Sequence, residues 1–429
     1  MSGRAAAQTI PEPAREQLLN GLRVVFWQQA GDPNVLVKLR IHSGAAFDLA
    51  GKDGTMALLG DALFPDPATR EYVTEQLGGK LEISTDYDRI DVTISGKASE
   101  FERIVDLLRA AVVTTQLSPE NVSRLREARI KQLSENPPSV AELADRAVAA
   151  RLFGNFPYGR TPGGTPESVS KIERADLMLA RERFLNADNA TLVVIGGIEK
   201  SRTLRTLRQL IGPWQKGDRT VPATFRQPAP PDARVLVLNQ TGATSAEIRL
   251  AVRGFAFSDR DTAAASLLAQ IVRARWQTAA PDLSATFARH EAHSLPGRFV
   301  MGASAPNASV SKALTAAQQI LRTLAQNGPT AAELEAAVNR PPLPPDSFAD
   351  RWLDIDTYKL AAKTEPNPIM TVADLQRVAA RLFKDASVAT VLVGDSEQLR
   401  ASLGGSVELQ PEKPAIKTAS DPVVPIRKP

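Results

Sequence analysis

Three histidines and no cysteine are the whole supply of imidazole and thiol in this chain. Without cysteine there is no disulfide framework, thiolate zinc site, iron–sulfur cluster or catalytic thiol. Two of the histidines stand together in His290-Glu291-Ala292-His293. The segment reads as strand, where residues three apart point to opposite faces, and a zinc site needs a third ligand for which His42 is the only other imidazole. No metal site is expected there, only a polar strand or loop. Ser294 has no G-x-S-x-G turn to expose it as a nucleophile. Pro162-Gly163-Gly164 lacks the Lys and Ser/Thr of a phosphate-binding loop. The carboxylate pairs Asp86/Asp88 and Asp354/Asp356 lie in polar contexts that would not shift a pKa, so they are expected in solvated turns.

The elements that must position any site come from a chain of 429 residues, 43% hydrophobic and 23% charged, which suggests two to three globular domains. A formal charge of +4 is too weak a field for nucleic-acid binding. No stretch reaches the roughly 18 apolar residues of a membrane span, and 191–198 is strand-sized. Residues 1–8 contain no apolar signal core. Ala5-Ala6-Ala7-Gln8 fits the stub of a cleaved signal, which points to the periplasm, and equally an ordinary frayed terminus, which leaves the cytoplasm as the alternative.

A long-period repeat organises the chain. Asp176 opens DLMLARERFLNADNATLVVIGG and Asp374 opens DLQRVAARLFKDASVATVLVGD, about 200 residues later: an amphipathic helix, a polar turn and an apolar strand closed by glycine. Upstream, Gln116 to Glu120 leads into a helical run at 121–133, as Asn327 to Thr330 leads into 331–339. The strand patterns at 35–41 and 246–252 also correspond. The expectation is an α+β fold of two homologous domains of about 200 residues, each a mixed sheet with helices packed on one face. We place the first domain at 9–217, a Pro-rich linker at 218–234, the second domain at 235–405 and a mobile Pro-rich tail at 406–429. The four prolines of 340–347 interrupt the repeat in the second half. Lys80–Thr85 and 89–95 around Asp86-Tyr87-Asp88 form a hairpin pattern, while 107–113 and the stripe Ile320, Leu321, Leu324 sit at core spacing.

Five groups of residues recur in a known order: 20–25, Gly44 to Phe64, Gly78-Gly79 before the hairpin, Phe156-Pro157-Tyr158-Gly159-Arg160 with Gly164-Thr165-Pro166-Glu167-Ser168, and 189–196. In this order they resemble the insulinase/pitrilysin family of inverted-motif zinc metallopeptidases, over nearly the whole chain. The resemblance implies an H-x-x-E-H helix with two zinc-binding imidazoles and a general base. At those positions this chain has Ala57, Gly60 and Asp61, and at the third-ligand position Gln132, a poor zinc ligand. The family's carbonyl-holding Arg and Tyr, seven residues apart in the second domain, would fall at Ala280 and Phe287, with Arg273, Arg275 or Arg289 as substitutes. Arg351 and Tyr358 have the same spacing and read as surface packing.

The resemblance and these replacements together imply a non-catalytic subunit of a heterodimer. Its partner would be an active H-x-x-E-H homologue that carries the zinc, with no cofactor in this chain. The two would form a half-clamshell pair closing a chamber around an unstructured peptide. Peptide contact is expected first at Lys80, Leu81, Glu82, Ile83 and Ser84, where an extended chain would add to the sheet, although Glu82 and Ile83 replace the Asn-Ala often found there. The alternative is a scaffold or peptide-binding protein without a role in proteolysis, like the core subunits of respiratory complexes with this fold.

Overall fold

The computed structural model describes residues 12–115, 117–217, 225–338, 346–360, 370–403 and 407–410. The expectations for residues 1–8, 218–224, 340–345 and 411–429 fall outside the described residues.

In the first half the chain forms β1 (Ala14–Gln17), β2 (Arg23–Gln28), β3 (Asn34–Ile41), α1 (Thr55–Leu63), α2 (Ala68–Glu75), β4 (Lys80–Thr85) and β5 (Ile90–Lys97). It continues through α3 (Phe101–Val113), α4 (Pro119–Glu135), α5 (Val140–Phe153), α6 (Pro166–Ser170), α7 (Arg174–Phe184), β6 (Ala190–Gly196) and α8 (Lys200–Leu210). The second half has β7 (Val235–Asn239), β8 (Ser245–Arg253), α9 (Thr262–Ala279), β9 (Ser284–Glu291) and β10 (Arg298–Pro306). After these come α10 (Val310–Asn327), α11 (Ala331–Val338), α12 (Asp346–Thr357), α13 (Val372–Phe383), β11 (Ala389–Gly394), α14 (Ser396–Leu403) and β12 (Val407–Gln410).

The repeat seen in the sequence is a repeat of topology. One six-stranded sheet runs β1-β2-β6-β3-β5-β4 and the other β12-β7-β11-β8-β10-β9. In each, the first long strand pairs parallel with the last one, which pairs antiparallel with the second. The outermost strands differ: β1 is antiparallel to β2, whereas β12 is parallel to β7. Local chemistry sets the boundaries. Ser139 and Glu142 form a capping box on α5, as Thr371 and Asp374 do on α13. Gly79 is required where β4 begins, since a Cβ there would lie 1.9 Å from the Ser95 carbonyl oxygen.

Each half encloses its own apolar core between one sheet face and its helices, centred on Leu39, Leu58 and Phe101 in the first half and on Ile248, Val272 and Phe299 in the second. The other sheet face receives a helix from the opposite half. Ala144, Val148, Leu152 and Phe153 of α5 pack on Ala251, Val300 and Val391 of the second sheet. Phe348, Ala349, Trp352 and Leu353 of α12 pack on Val25, Val193 and Ile195 of the first. This reciprocal covering was not legible as a separate feature, because both helices follow their own half's elements in sequence.

One boundary changes. Residues 407–410, assigned to the tail, form β12, because alternating Val407 and Leu409 complete the ladder on β7. Of the linker, Phe225 sits against Phe47 and Phe156, with ring centroids 6.1 and 6.0 Å apart, and Arg253 donates to the Pro228 and Ala229 carbonyls, so this stretch is fastened to the fold.

Candidate functional site

The helix to which the resemblance assigns a metal is α1. Its N-terminus is fixed from below: Gly54 takes φ +97°, and Asp48 accepts hydrogen bonds from the Gly54 and Met56 amides at 2.7 and 2.8 Å. Burial pushes the Asp48 carboxyl up to about 7 against the pull of those amides. Arg160 donates to the Asp48 carbonyl at 2.8 Å and pairs with Asp53, whose carbonyl accepts from Ser168. The Tyr158–Ser168 stretch therefore holds the loop that aims α1.

Along α1, Ala57 and Gly60 are buried. A Cβ on Gly60 would meet Thr85 Oγ1 at 3.1 Å and Ile83 Cγ2 at 3.5 Å, so the missing side chain lets α1 lie close on β4. Asp61 turns toward α4, where its Oδ2 accepts from Arg129 Nη1 at 2.6 Å, and Arg129 Nε donates to the Gly163 carbonyl at 3.0 Å. Gln132 is exposed, so the α4 side chain that reaches α1 is Arg129, not Gln132. One signal could have found it. Asp61 is the only charge on an otherwise apolar helix, and α4 carries Arg124, Arg126, Arg129 and Lys131.

These residues do not fit a zinc ion. A methyl group, a glycine and one carboxylate already paired with a guanidinium offer no imidazole, and the fixed positive charge of Arg129 stands where a cation would have to enter. Beside them runs β4, the outer strand of its sheet among the described residues. Leu81 is buried, Ile83 is half-buried, and Lys80, Glu82 and Ser84 are exposed.

In the second half Ala280 is the buried C-cap residue of α9. Phe287 on β9 lies under two guanidiniums, Arg249 and Arg289, at 5.0 and 4.6 Å from its ring centre. Of the substitutes, Arg275 is bound to Glu333 at 2.6 and 2.9 Å, and Arg289 pairs with Glu291 and with Asp145 at 3.5 Å. Arg273 is exposed. Tyr358, expected at the surface, is buried and stacked on Phe257 at 4.1 Å, and burial raises its phenol pKa.

The carboxylate pairs also stand elsewhere than expected. Asp88 is buried between the halves, accepting from Tyr158 Oη at 3.1 Å and the Ser294 amide at 2.8 Å, with His293 Nδ1 at 3.4 Å. Asp86, Asp88 and His293 converge within ligand distance of one another, yet Asp88 already has donors on both oxygens. Asp354 and Asp356 lie on α12 and pair with basic residues of the first sheet. His290 and His293 do not share a partner: His290 Nε2 accepts from the Phe255 amide at 2.9 Å.

The two repeated sheets, the reciprocal helices and the helix pair α1/α4 define a two-domain half-clamshell of peptidase type. The profile described as "Insulinase (Peptidase family M16)" matches residues 23–165, and that of the "Peptidase M16 inactive domain" matches 171–340. The chain belongs to this family. It is 25% identical over 280 residues to subunit 1 of the mitochondrial cytochrome b-c1 complex of Bos taurus, covering 62% of this chain and 56% of that one. The chain spans about half the length of the curated relatives it matches. The crystal structure of a peptidase M16 inactive domain from Pseudomonas fluorescens superposes with a TM-score of 0.80 at 18% identity, over 94% of this chain and all of that one. The periplasmic protease PqqL from Escherichia coli does so with a TM-score of 0.69 at 16% identity, over 92% of this chain and 49% of its own length.

Proposed function

We propose that this chain is the non-catalytic subunit of a two-subunit insulinase-like zinc peptidase, forming one wall of a chamber whose metal and general base come from an H-x-x-E-H partner. The observation that carries this reading is the Asp61–Arg129 ion pair between α1 and α4, with Ala57 and Gly60 on the same helix. Together they leave no ligand for a metal and no base to activate water. The chain's role is then steric and positional: its wall excludes folded proteins, and β4 offers backbone groups to an extended peptide along Lys80–Ser84. The weak net charge argues against nucleic acid as a partner, and no helix among the described residues is long and apolar enough to cross a membrane. The periplasm is the proposed compartment, supported by the likeness to a periplasmic protease.

A second reading, a scaffold within a larger complex, draws on the likeness to a cytochrome b-c1 complex subunit. Co-expression with an H-x-x-E-H homologue separates the two. A stable complex that acquires peptide cleavage supports the peptidase subunit, and a stable complex that leaves the homologue's cleavage unchanged supports the scaffold. Zinc and turnover in this chain alone contradict both.

A further inference from the structure

The two helices that cross between the halves are built on different principles. On α5 Asp145 is bound by Arg249 Nε at 2.6 Å and lies 3.5 Å from Arg289, and Arg151 meets Glu408 at 2.8 Å, but these pairs flank a broad apolar contact extended by Phe156, Tyr158 and Leu236. On α12 four of twelve residues are aspartates, and Asp350, Asp354 and Asp356 are each engaged. Asp350 meets Lys38 Nζ at 2.5 Å and Arg40 Nη2 at 3.1 Å. Asp354 meets Arg40 Nη1 at 2.6 Å and Arg89 Nη1 at 3.4 Å. Asp356 meets Arg15 at 3.2 Å, Arg23 at 3.8 Å and the Thr191 hydroxyl at 3.0 Å. Four cations of one sheet and Arg89 from its β4–β5 turn thus grip one short helix, with Asp91 the acidic residue of that sheet that shares Arg40.

We propose that α12 is a releasable ionic clasp between the two halves, whereas α5 is a permanent wedge held chiefly by its apolar contact. The physical reason lies in what each contact costs to break. Taking Asp354 and Arg40 out of water is nearly as unfavourable as their attraction is favourable, and burial indeed outweighs the two guanidiniums in setting the Asp354 carboxyl above its usual range. The buried Arg40–Asp354 pair therefore fixes the register of α12 while adding little net affinity, the more exposed pairs of Asp350 with Lys38 and of Asp356 with Arg15 carry the salt-sensitive part, and the remainder is an apolar contact resting on Phe348, Trp352 and Leu353. When α12 lifts, Arg40 keeps Asp91 as a bidentate partner at 2.7 and 2.8 Å, so no buried cation is stranded in the open state. Opening at α12 would let the halves hinge about α5 and expose a cationic face bearing Trp27, which packs edge-on to Trp352 at 5.9 Å.

The test is hydrogen–deuterium exchange on the full chain, comparing α12 with α5 at about 0.1 M and about 1 M NaCl, between which the screening length falls from about 10 Å to about 3 Å. Amides of α12 should open about tenfold more readily than those of α5 and speed up about threefold or more in high salt, with α5 responding clearly less. Asp354→Asn should raise the opening of α12 about tenfold and flatten its salt response, consistent with loss of a charged hydrogen bond. Asp350→Asn, at a half-exposed position, is the milder variant if the first does not fold, and should act in the same direction. Acrylamide quenching of Trp27 and Trp352 should rise with salt, because Trp214 and Trp276 stay buried in the two cores. Equal protection of α12 and α5, or an α12 opening that ignores salt, would overturn the proposal.

Discussion

Asp61 on α1 and Arg129 on α4 stand 2.6 Å apart, and the matching helices of the other half, α9 and α11, are joined by the same contact with the signs exchanged, Arg275 to Glu333 at 2.6 Å. The family's metal helix and its third-ligand helix therefore meet here through an ion pair of the kind that serves as a structural tie in the second half, where Arg275 holds Glu333 down to about 2.

If Arg129 is the element that excludes a metal, Ala57→His with Asp61→His should bind no zinc by calorimetry while Arg129 remains, and should gain it when Arg129→Glu is added. Arg129→Ala alone should lower stability by about 1 kcal/mol, the usual size for one partly exposed charged hydrogen bond, seen as a few degrees in the thermal midpoint. Zinc uptake by the double variant with Arg129 intact would contradict the assignment.

Arg40 is fully buried and holds Asp91 with two hydrogen bonds. Arg40→Met should cost about 3 kcal/mol in urea unfolding, because it strips both charged hydrogen bonds from a buried carboxylate and leaves only Arg89 at 3.5 Å and Lys38 at 3.9 Å. Adding Asp91→Leu should recover part of that loss. An Arg40→Met cost below about 1 kcal/mol would mean the pair is solvated in solution.

Mild acid should weaken the fold before ordinary carboxylates titrate. Burial, then the nearby Arg23 and Arg40, hold His42 well below its usual value, while Thr357 and Thr191 hydroxyls contact its two nitrogens at 3.0 and 2.9 Å. His290 is lowered to about 4, again by burial first. A lowered imidazole leaves the folded chain with fewer bound protons than the unfolded one below about pH 6.5, so stability is complete above that pH and falls toward pH 4. Asp48, raised to about 7, acts in the opposite sense. Comparing His42→Asn with the parent isolates the imidazole: the urea midpoint of the variant should change less between pH 7 and 5. An identical slope would show that His42 is solvated.

A peptide held along β4 has the exposed Glu82 beside it. Glu82→Lys should weaken capture of basic unstructured peptides and strengthen capture of acidic ones in a polarisation titration, with melting unchanged, since the side chain is solvated. Identical affinities would remove β4 from the peptide path.

The duplication, the sheet pattern and the hairpin at Asp86–Asp88 were legible because apolar period and turn residues act locally. What could not be read was which surfaces meet across the chain. Asp354 and Asp356 look like a polar turn until α12 is seen lying on Lys38 and Arg40, more than 300 positions away. Tyr358 is buried and stacks on Phe257, which comes from the other side of the second half's sequence. Gln132 and Arg129 lie less than one turn apart, and spacing alone cannot say which of them faces Asp61. Residues 407–410 resemble a tail until β7 offers them an unpaired edge.

The proposed role is a contribution to peptide cleavage made only through a partner. The direct measurement is turnover of a quenched unstructured peptide by the purified chain, by an H-x-x-E-H homologue that co-purifies with it, and by their equimolar mixture, with zinc quantified in each. The expected result is no zinc and no turnover in this chain, and activity that rises sharply only in the mixture. Stoichiometric zinc with turnover in this chain alone, or a homologue whose rate is unchanged by it, would contradict that role.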